Sequence, residues 1–141
     1  MKILIAEDDF VSRLLLQGIL KSYGPVHIAV NSKEAVEAVR LALKPVEPFD
    51  LICLDIMMPE MSGKEALKEI RRIERAAGAV ASNRTKTVMT TTLADQGHVR
   101  EAMRGRCDCL LTKPIRKTQG LEWSCTRWRS SPEAEVFQCA S

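Results

Sequence analysis

Short, mostly apolar runs alternate along this chain with segments whose apolar residues recur at helical spacing. Five such runs are predicted as strands, at residues 3–6, 26–30, 51–54, 87–90 and 109–112. Continuous apolar runs of this length are typical of strands buried on both faces of a parallel sheet. The intervening segments repeat apolar positions three or four residues apart, as amphipathic helices do. Repeated alternation of strand and helix predicts a parallel sheet covered by helices on both sides.

Helix limits follow from capping residues and from glycine and proline. The predicted caps of the first four helices are, in chain order, Asp8 or Asp9, Asn31 or Ser32, Ser62 and Asp95. The third helix is expected to end near residue 76 and the fourth near residue 105. A fifth helix is left in doubt.

Polar residues stand where the predicted strands end. Ligands of parallel α/β sheets bind outside the carboxyl ends of the strands. The residues at these ends are Glu7, Asp8 and Asp9 after the first strand, Asp55 after the third, Thr91 after the fourth and Lys113 after the fifth. Carboxylates, a hydroxyl and an ammonium group are therefore expected at one rim of the sheet.

This combination suits phosphoryl transfer. Crowded carboxylates repel each other, and hard oxygen ligands favour Mg²⁺. A metal ion on one side of Asp55 and Lys113 on the other would neutralise a phosphoryl group in transfer, while Thr91 donates a hydrogen bond to it. Asp55 would be the nucleophile and form an acyl phosphate. Taken singly, these residues have simpler explanations, such as helix capping, so their joint placement carries the prediction.

Four segments, at 3–9 (ILIAEDD), 51–63 (LICLDIMMPEMSG), 88–92 (VMTTT) and 110–115 (LLTKPI), resemble the signatures of the two-component response-regulator receiver family. The resemblance extends over about residues 2–117. It implies a flavodoxin-like, doubly wound sheet of five parallel strands in the order 2-1-3-4-5. It also implies a stand-alone receiver domain at 1–118, similar to chemotaxis regulators. Such a domain is a phosphoacceptor with Mg²⁺-dependent autophosphorylation and autodephosphorylation, and not a conventional turnover enzyme.

The resemblance also implies roles for individual residues. Asp55 looks like the acceptor of a phosphoryl group from a phosphohistidine. Asp9, Asp55 and the backbone carbonyl of Met57 look like direct Mg²⁺ ligands, with Asp8 acting through water. The implied partners are a sensor histidine kinase or a histidine phosphotransfer protein, and a downstream protein target.

Thr91 looks like the switch hydroxyl of the family, and Lys113 like its phosphate-binding lysine. Two departures lie close to them. Thr92 stands where alanine or glycine is commoner, which is expected to narrow access to Asp55. Leu110 stands where many members carry an aromatic residue that swings inward on phosphorylation.

The C-terminal segment at 119–141 is atypical. Leu121, Cys125 and Trp128 have helical spacing, which indicates a divergent last helix. Gly120 and the serine and threonine residues of the segment are poor helix formers, which indicates instead that the last helix is disordered. An altered or frame-shifted C-terminus and a divergent partner-binding segment are both open hypotheses.

Composition restricts location and partners. The 141 residues carry a net charge of only +3, and the basic run at 100–129 is predicted to be a solvated surface, so nucleic-acid binding is not expected. The five cysteines lack a CxxC pair, which favours neither a zinc site nor a disulfide framework. No apolar run approaches the ~20 residues that a membrane span needs. A reduced, cytoplasmic protein without membrane contact is the prediction.

Three other classes of protein share parts of this pattern. A dehalogenase-like hydrolase would need a second aspartate where Met57 stands, and a dinucleotide-binding enzyme would need a glycine-rich turn in place of the acidic run at 7–9. The serious alternative is a receiver-like interaction module that signals without phosphorylation. A phosphorylation assay separates it from the phosphoacceptor.

Overall fold

The computed structural model of the protein describes residues 2–44, 47–79, 84–91, 107–113 and 124–125. The strands within these ranges are β1 (Ile3–Ala6), β2 (Val26–Ala29), β3 (Leu51–Asp55), β4 (Lys86–Thr91), β5 (Cys109–Thr112) and β6 (Ser124–Cys125). The helices are α1 (Phe10–Leu20), α2 (Ser32–Leu43) and α3 (Gly63–Ala76), and a short 3-10 helix spans Lys21–Tyr23. The five predicted strands and the first three predicted helices are therefore confirmed.

The strands form one sheet in the order β2-β1-β3-β4-β5-β6. Strands β1 to β5 pair in parallel, which confirms the predicted order 2-1-3-4-5. The two-residue strand β6 was not predicted and runs antiparallel to β5. The order of the strands reverses at β1 and β3, and this reversal opens a crevice at their carboxyl ends.

Helices cover both faces of the sheet, as predicted. Side chains alternate between the faces along each strand. Leu4 and Ile52 belong to a core that includes buried residues of α2 and α3. Ile3 and Leu51 belong to a second core, which α1 covers with Leu16 and other apolar residues. Because β1 and β3 are buried on both faces, their residues are apolar, apart from Asp55 at the end of β3.

Side-chain caps define where each helix begins. Asp9 Oδ2 accepts a hydrogen bond of 2.9 Å from the Ser12 backbone N–H at the start of α1. Asn31 caps α2 in the same way through Glu34, at 2.8 Å. Ser62 caps α3. Of the alternatives that the sequence left open, the structure selects Asp9 and Asn31.

Several predicted features lie outside the described residues. They include the fourth helix beginning at Asp95, Thr92, and most of the C-terminal segment at 119–141. Ser124–Cys125 form strand β6 instead of the helical turn that the spacing of Cys125 indicated. Serine and cysteine are weak helix formers, and the edge of β5 offers unpaired backbone groups to an adjacent strand. Among the described helices, none is long and apolar enough to cross a membrane.

Candidate functional site

Three strand ends bring a lysine and two buried carboxylates together. Asp55 is the last residue of β3, and Glu7 and Lys113 directly follow β1 and β5. The Lys113 Nζ lies 3.0 Å from Glu7 Oε2 and 3.4 Å from Asp55 Oδ1. Glu7 and Asp55 are 0% and 3% exposed. The structure thus joins Asp55 and Lys113, whose positions in the sequence predicted a shared rim.

A third carboxylate completes an acidic cluster at this rim. Glu7, Asp8 and Asp55 each offer a carboxylate oxygen, and these oxygens all lie within 4.8 Å of one another. Asp8 is exposed, whereas the other two are buried, so the cluster opens to solvent on the side of Asp8. Asp8 and Asp55 were predicted to share a site, and the structure brings them together.

Asp9 does not belong to this cluster of described residues. Its carboxylate caps α1, and the hydrogen bond from the Ser12 backbone lowers its pKa. Its backbone N–H instead donates to Glu7 Oε1 at 3.2 Å. The sequence-based assignment of Asp9 as a direct metal ligand therefore lacks geometric support, and Glu7 was the carboxylate left unassigned. No local signal in the sequence separates these carboxylates, because the cap accepts from a backbone N–H that any residue at position 12 other than proline would offer.

Burial and mutual repulsion shift the titration of the buried groups. Burial, followed by the charge of Asp55, raises the pKa of Glu7 to about 7. Burial also raises the pKa of Asp55, against the opposing charge of Lys113. Burial alone would lower the pKa of Lys113, but its hydrogen bond to Glu7 and the charge of Asp55 outweigh this effect and raise it. Excess negative charge at the rim is therefore costly until a cation compensates it.

The donor set fits a hard divalent cation. Three carboxylates face one ammonium group, so their combined charge exceeds what Lys113 neutralises. Mg²⁺ prefers oxygen ligands and usually keeps several waters, which an exposed position beside Asp8 allows. Glu7, Asp8 and Asp55 are the described residues that could hold it.

Thr91 ends β4 at the same edge of the sheet. It is buried and pairs in register with Thr112, and its carbonyl accepts a 2.7 Å hydrogen bond from the Lys113 backbone N–H. Thr90, the preceding residue, is the register partner of Asp55. The structure thus places Thr91 beside the backbone of Lys113, while its role as a switch hydroxyl stays a prediction.

The loop after β3 holds Asp55 closely. The Met57 backbone N–H approaches Asp55 Oδ1 at 3.4 Å, and the Met57 side chain is exposed. A Cβ at Gly63 would lie 2.2 Å from the Asp55 carbonyl oxygen, so only glycine fits where α3 begins. Glu60 adopts a φ of 68°, an uncommon value for a residue with a side chain. The predicted contribution of the Met57 carbonyl to a metal site stays a prediction.

The sequence departs from the family pattern at Thr92 and Leu110. Thr92 and the side chain of Leu110 lie outside what the structure describes. Their expected effects on access to Asp55 and on the response of β5 remain predictions.

Known proteins similar to this chain share the fold and the domain. The family described as "Response regulator receiver domain" matches residues 3–123. The chemotaxis protein CheY of Thermotoga maritima is 31% identical over 123 residues, which cover 86% of this chain and 92% of CheY. Histidine kinase CKI1 of Arabidopsis thaliana is 33% identical over 81% of this chain, which spans only 11% of that kinase.

Solved structures agree with these relatives. The receiver domain of CKI1, crystallised with Mg²⁺, has a TM-score of 0.70 and 31% identity, with 82% of this chain and 85% of that chain covered. A co-crystal structure from Saccharomyces cerevisiae of the phosphotransfer protein Ypd1 with the receiver domain of Ssk1 gives a TM-score of 0.67, 28% identity, and coverage of 82% and 80%. With its parallel sheet, its acidic rim and a family match over most of its length, the chain belongs to the response regulator receiver domain family.

Proposed function

We propose that this chain is a phosphorelay receiver whose Asp55 accepts a phosphoryl group from a phosphohistidine. The proposal rests on the buried Asp55 carboxylate, which has the Lys113 ammonium group 3.4 Å away and the carboxylates of Glu7 and Asp8 beside it. An Asp55 oxygen attacks the phosphorus, the phosphorus–nitrogen bond of the donor breaks, and the histidine leaves. Transfer of this kind depends mainly on positioning and on stabilisation of charge.

Each residue at the rim has a part in this proposal. Lys113 neutralises a phosphoryl oxygen from one side of Asp55, and Thr91 donates a hydrogen bond to another. Mg²⁺, when bound, supplies positive charge on the other side. The carboxylates that would hold it are those of Glu7, Asp8 and Asp55, so that Asp8 takes the place of Asp9, which the family resemblance implied as a direct ligand beside Asp55.

The proposal describes a signalling acceptor and not a conventional turnover enzyme. Phosphorylation changes the conformation of the domain, which then acts on a downstream protein. A cytoplasmic location is part of the proposal. It is supported by the buried thiol of Cys53, which forms no disulfide, since disulfides are typical of oxidising compartments and rare in reducing ones.

Labelling with a small phosphodonor tests the proposal. Incubated with Mg²⁺ and phosphoramidate, the parent chain is expected to gain one phosphoryl group by mass spectrometry, because Asp55 is a positioned nucleophile. Asp55→Asn is expected to gain none. An Asp55→Asn variant that labels as well as the parent contradicts the assignment. A parent chain that never labels favours the alternative module that signals without phosphorylation.

The surface beside Asp55 suggests how a protein donor docks. Four apolar residues of α1 are exposed on neighbouring positions of one helix face: Phe10, Val11, Leu14 and Leu15. Helix α1 begins three residues after Glu7, and the exposed side chain of Met57 lies in the loop after Asp55. Exposed apolar groups of this extent mark interaction sites. We assign this α1 surface to a histidine phosphotransfer protein, in keeping with the neighbouring Ypd1 complex.

Leu14→Lys is expected to slow transfer from phosphorylated Ypd1 about tenfold or more, since burial of a leucine contributes roughly 1.5–3 kcal/mol and 1.4 kcal/mol is a factor of ten. Labelling by phosphoramidate should be unchanged, because Leu14 is not at the acidic rim. Leu41→Lys on α2 is the matched control, because both leucines are 51% exposed. Equal rates of transfer from Ypd1 to the parent and to Leu14→Lys would remove α1 from the docking surface.

A further inference from the structure

Two cysteines occupy directly opposite register positions in the last strand pair of the sheet. Strand β6 runs antiparallel to β5, and its register pairs Cys109 with Cys125 and Leu110 with Ser124. The two cysteines are sixteen residues apart in the chain, so only the strand pairing brings them to directly opposite positions. The sequence alone offered no spacing motif that joined them.

Backbone placement of this kind meets the main requirement of a disulfide. Directly opposite residues of an antiparallel pair have Cα atoms about 4.5 or 5.5 Å apart. Disulfides join residues whose Cα atoms are roughly 4.4–6.8 Å apart. Both kinds of opposite pair fall within this interval, so the register places positions 109 and 125 at a backbone separation that a disulfide can span.

We propose that Cys109 and Cys125 form a reversible disulfide that fastens the C-terminal segment to β5. The oxidant is a low-molecular-weight disulfide such as oxidised glutathione. The thiolate of one cysteine attacks this disulfide and releases one glutathione thiol. The second cysteine attacks the resulting mixed disulfide, the Cys109–Cys125 bond forms, and a second glutathione thiol leaves with the remaining proton.

The other described cysteines are poor competitors. Cys53 is buried in β3, and burial raises the pKa of its thiol to about 12. Cys107 lies before the start of β5, outside the register that pairs Cys109 with Cys125. Burial, followed by the charge of Asp108, also raises the pKa of Cys107 to about 11. The register of β5 and β6 therefore makes Cys109 the expected disulfide partner of Cys125.

The link has a consequence for the site. The loop that it closes begins in β5 and includes Lys113, four residues after Cys109. The ammonium group of Lys113 holds both Glu7 and Asp55. Oxidation thus tethers the segment of chain that follows the phosphate-binding lysine. In a reducing compartment such a bond is transient and responds to redox conditions.

Equilibration of the full chain with mixtures of reduced and oxidised glutathione tests the proposal. After free thiols are alkylated, mass spectrometry of the digest is expected to show a peptide pair linked through Cys109 and Cys125. The bond should be lost in Cys125→Ser and in Cys109→Ser. Cys107→Ser and Cys139→Ser, as matched controls, should retain it.

Three results would overturn the inference. The first is a parent chain that links Cys125 to Cys107 or to Cys139 instead. The second is a parent chain that forms only mixed disulfides with glutathione. The third is unchanged selectivity in denaturing urea, which would show that strand pairing does not direct the bond. Scrambled linkages in urea, with the single 109–125 bond in buffer, support it.

Discussion

Asp8→Ala is expected to abolish the stabilisation of this protein by Mg²⁺, whereas Asp9→Ala is expected to retain it. The oxygens of Asp8 and Asp55 lie in one acidic cluster, while the carboxylate of Asp9 is engaged at the start of α1. A ligand at about a hundredfold excess over its Kd adds roughly 2.7 kcal/mol to the free energy of unfolding. Urea unfolding with and without MgCl₂ measures this difference for each variant.

The two variants should also differ without metal. Asp9→Ala removes a helix cap and is expected to cost about 1 kcal/mol whether or not Mg²⁺ is present. Asp8→Ala removes a repelling charge next to Glu7 and Asp55, so its metal-free form should be no less stable than the parent. A Mg²⁺ response that survives in Asp8→Ala and disappears in Asp9→Ala would reverse the assignment and restore Asp9 as the ligand.

Arg71→Met is expected to lower the free energy of unfolding by about 3–5 kcal/mol, because it breaks a buried charge network. The Arg71 guanidinium donates to Glu74 Oε2 at 2.8 Å and to the Thr85 carbonyl at 2.9 Å. It also donates to Thr87 Oγ1 at 2.9 Å and lies 3.4 Å from Asp108 Oδ2. The network thereby ties α3 to β4 and to the residue that precedes β5.

Removing the arginine leaves two nearly buried carboxylates without their main cation. Glu74 and Asp108 are each 3% exposed, so water cannot replace the lost partner. Arg84, 3.5 Å from Asp108 Oδ1, compensates only in part. Methionine fills much of the space of the arginine side chain, so the measured loss reports mainly the charge.

Arg72→Met is the matched control on the same helix. Arg72 pairs with Glu69 at the surface, where its side chain is 62% exposed. Exposed ion pairs contribute about 0–1 kcal/mol. Similar urea midpoints for Arg71→Met and Arg72→Met would contradict a stabilising role for the buried network.

The local pattern of the sequence was sufficient for the strands and for the rim. Strands β1 and β3 are buried on both faces, and this burial requires uninterrupted apolar runs that are visible in the sequence. Parallel strands direct their carboxyl ends to one edge, so Asp55 and Lys113 could be placed together from their positions after two such runs.

Asp9 shows where local pattern was insufficient. Glu7, Asp8 and Asp9 offer three carboxylates at successive positions, and each can cap a helix or face the crevice. The residue at which α1 begins decides which carboxylate caps the helix and which carboxylates face the crevice. Where α1 begins depends in turn on how the helix packs against β1. The structure therefore groups Glu7 and Asp8 with Asp55, one residue before the pair Asp8 and Asp9 that the sequence suggested.

Contacts between residues far apart in the chain could not be predicted from the sequence. Arg71 and Asp108 are 37 residues apart, and their pairing follows from the packing of α3 beside the paired strands β4 and β5. The opposition of Cys109 and Cys125 follows from the register of β5 and β6. The sequence by itself determined strands β1 to β5, helices α1 to α3 and the acidic rim, because burial imposes a period on neighbouring residues. Only the tertiary structure decided which carboxylate faces the crevice, which charges are buried together and which cysteines are opposed, because register and packing depend on residues far apart in the chain.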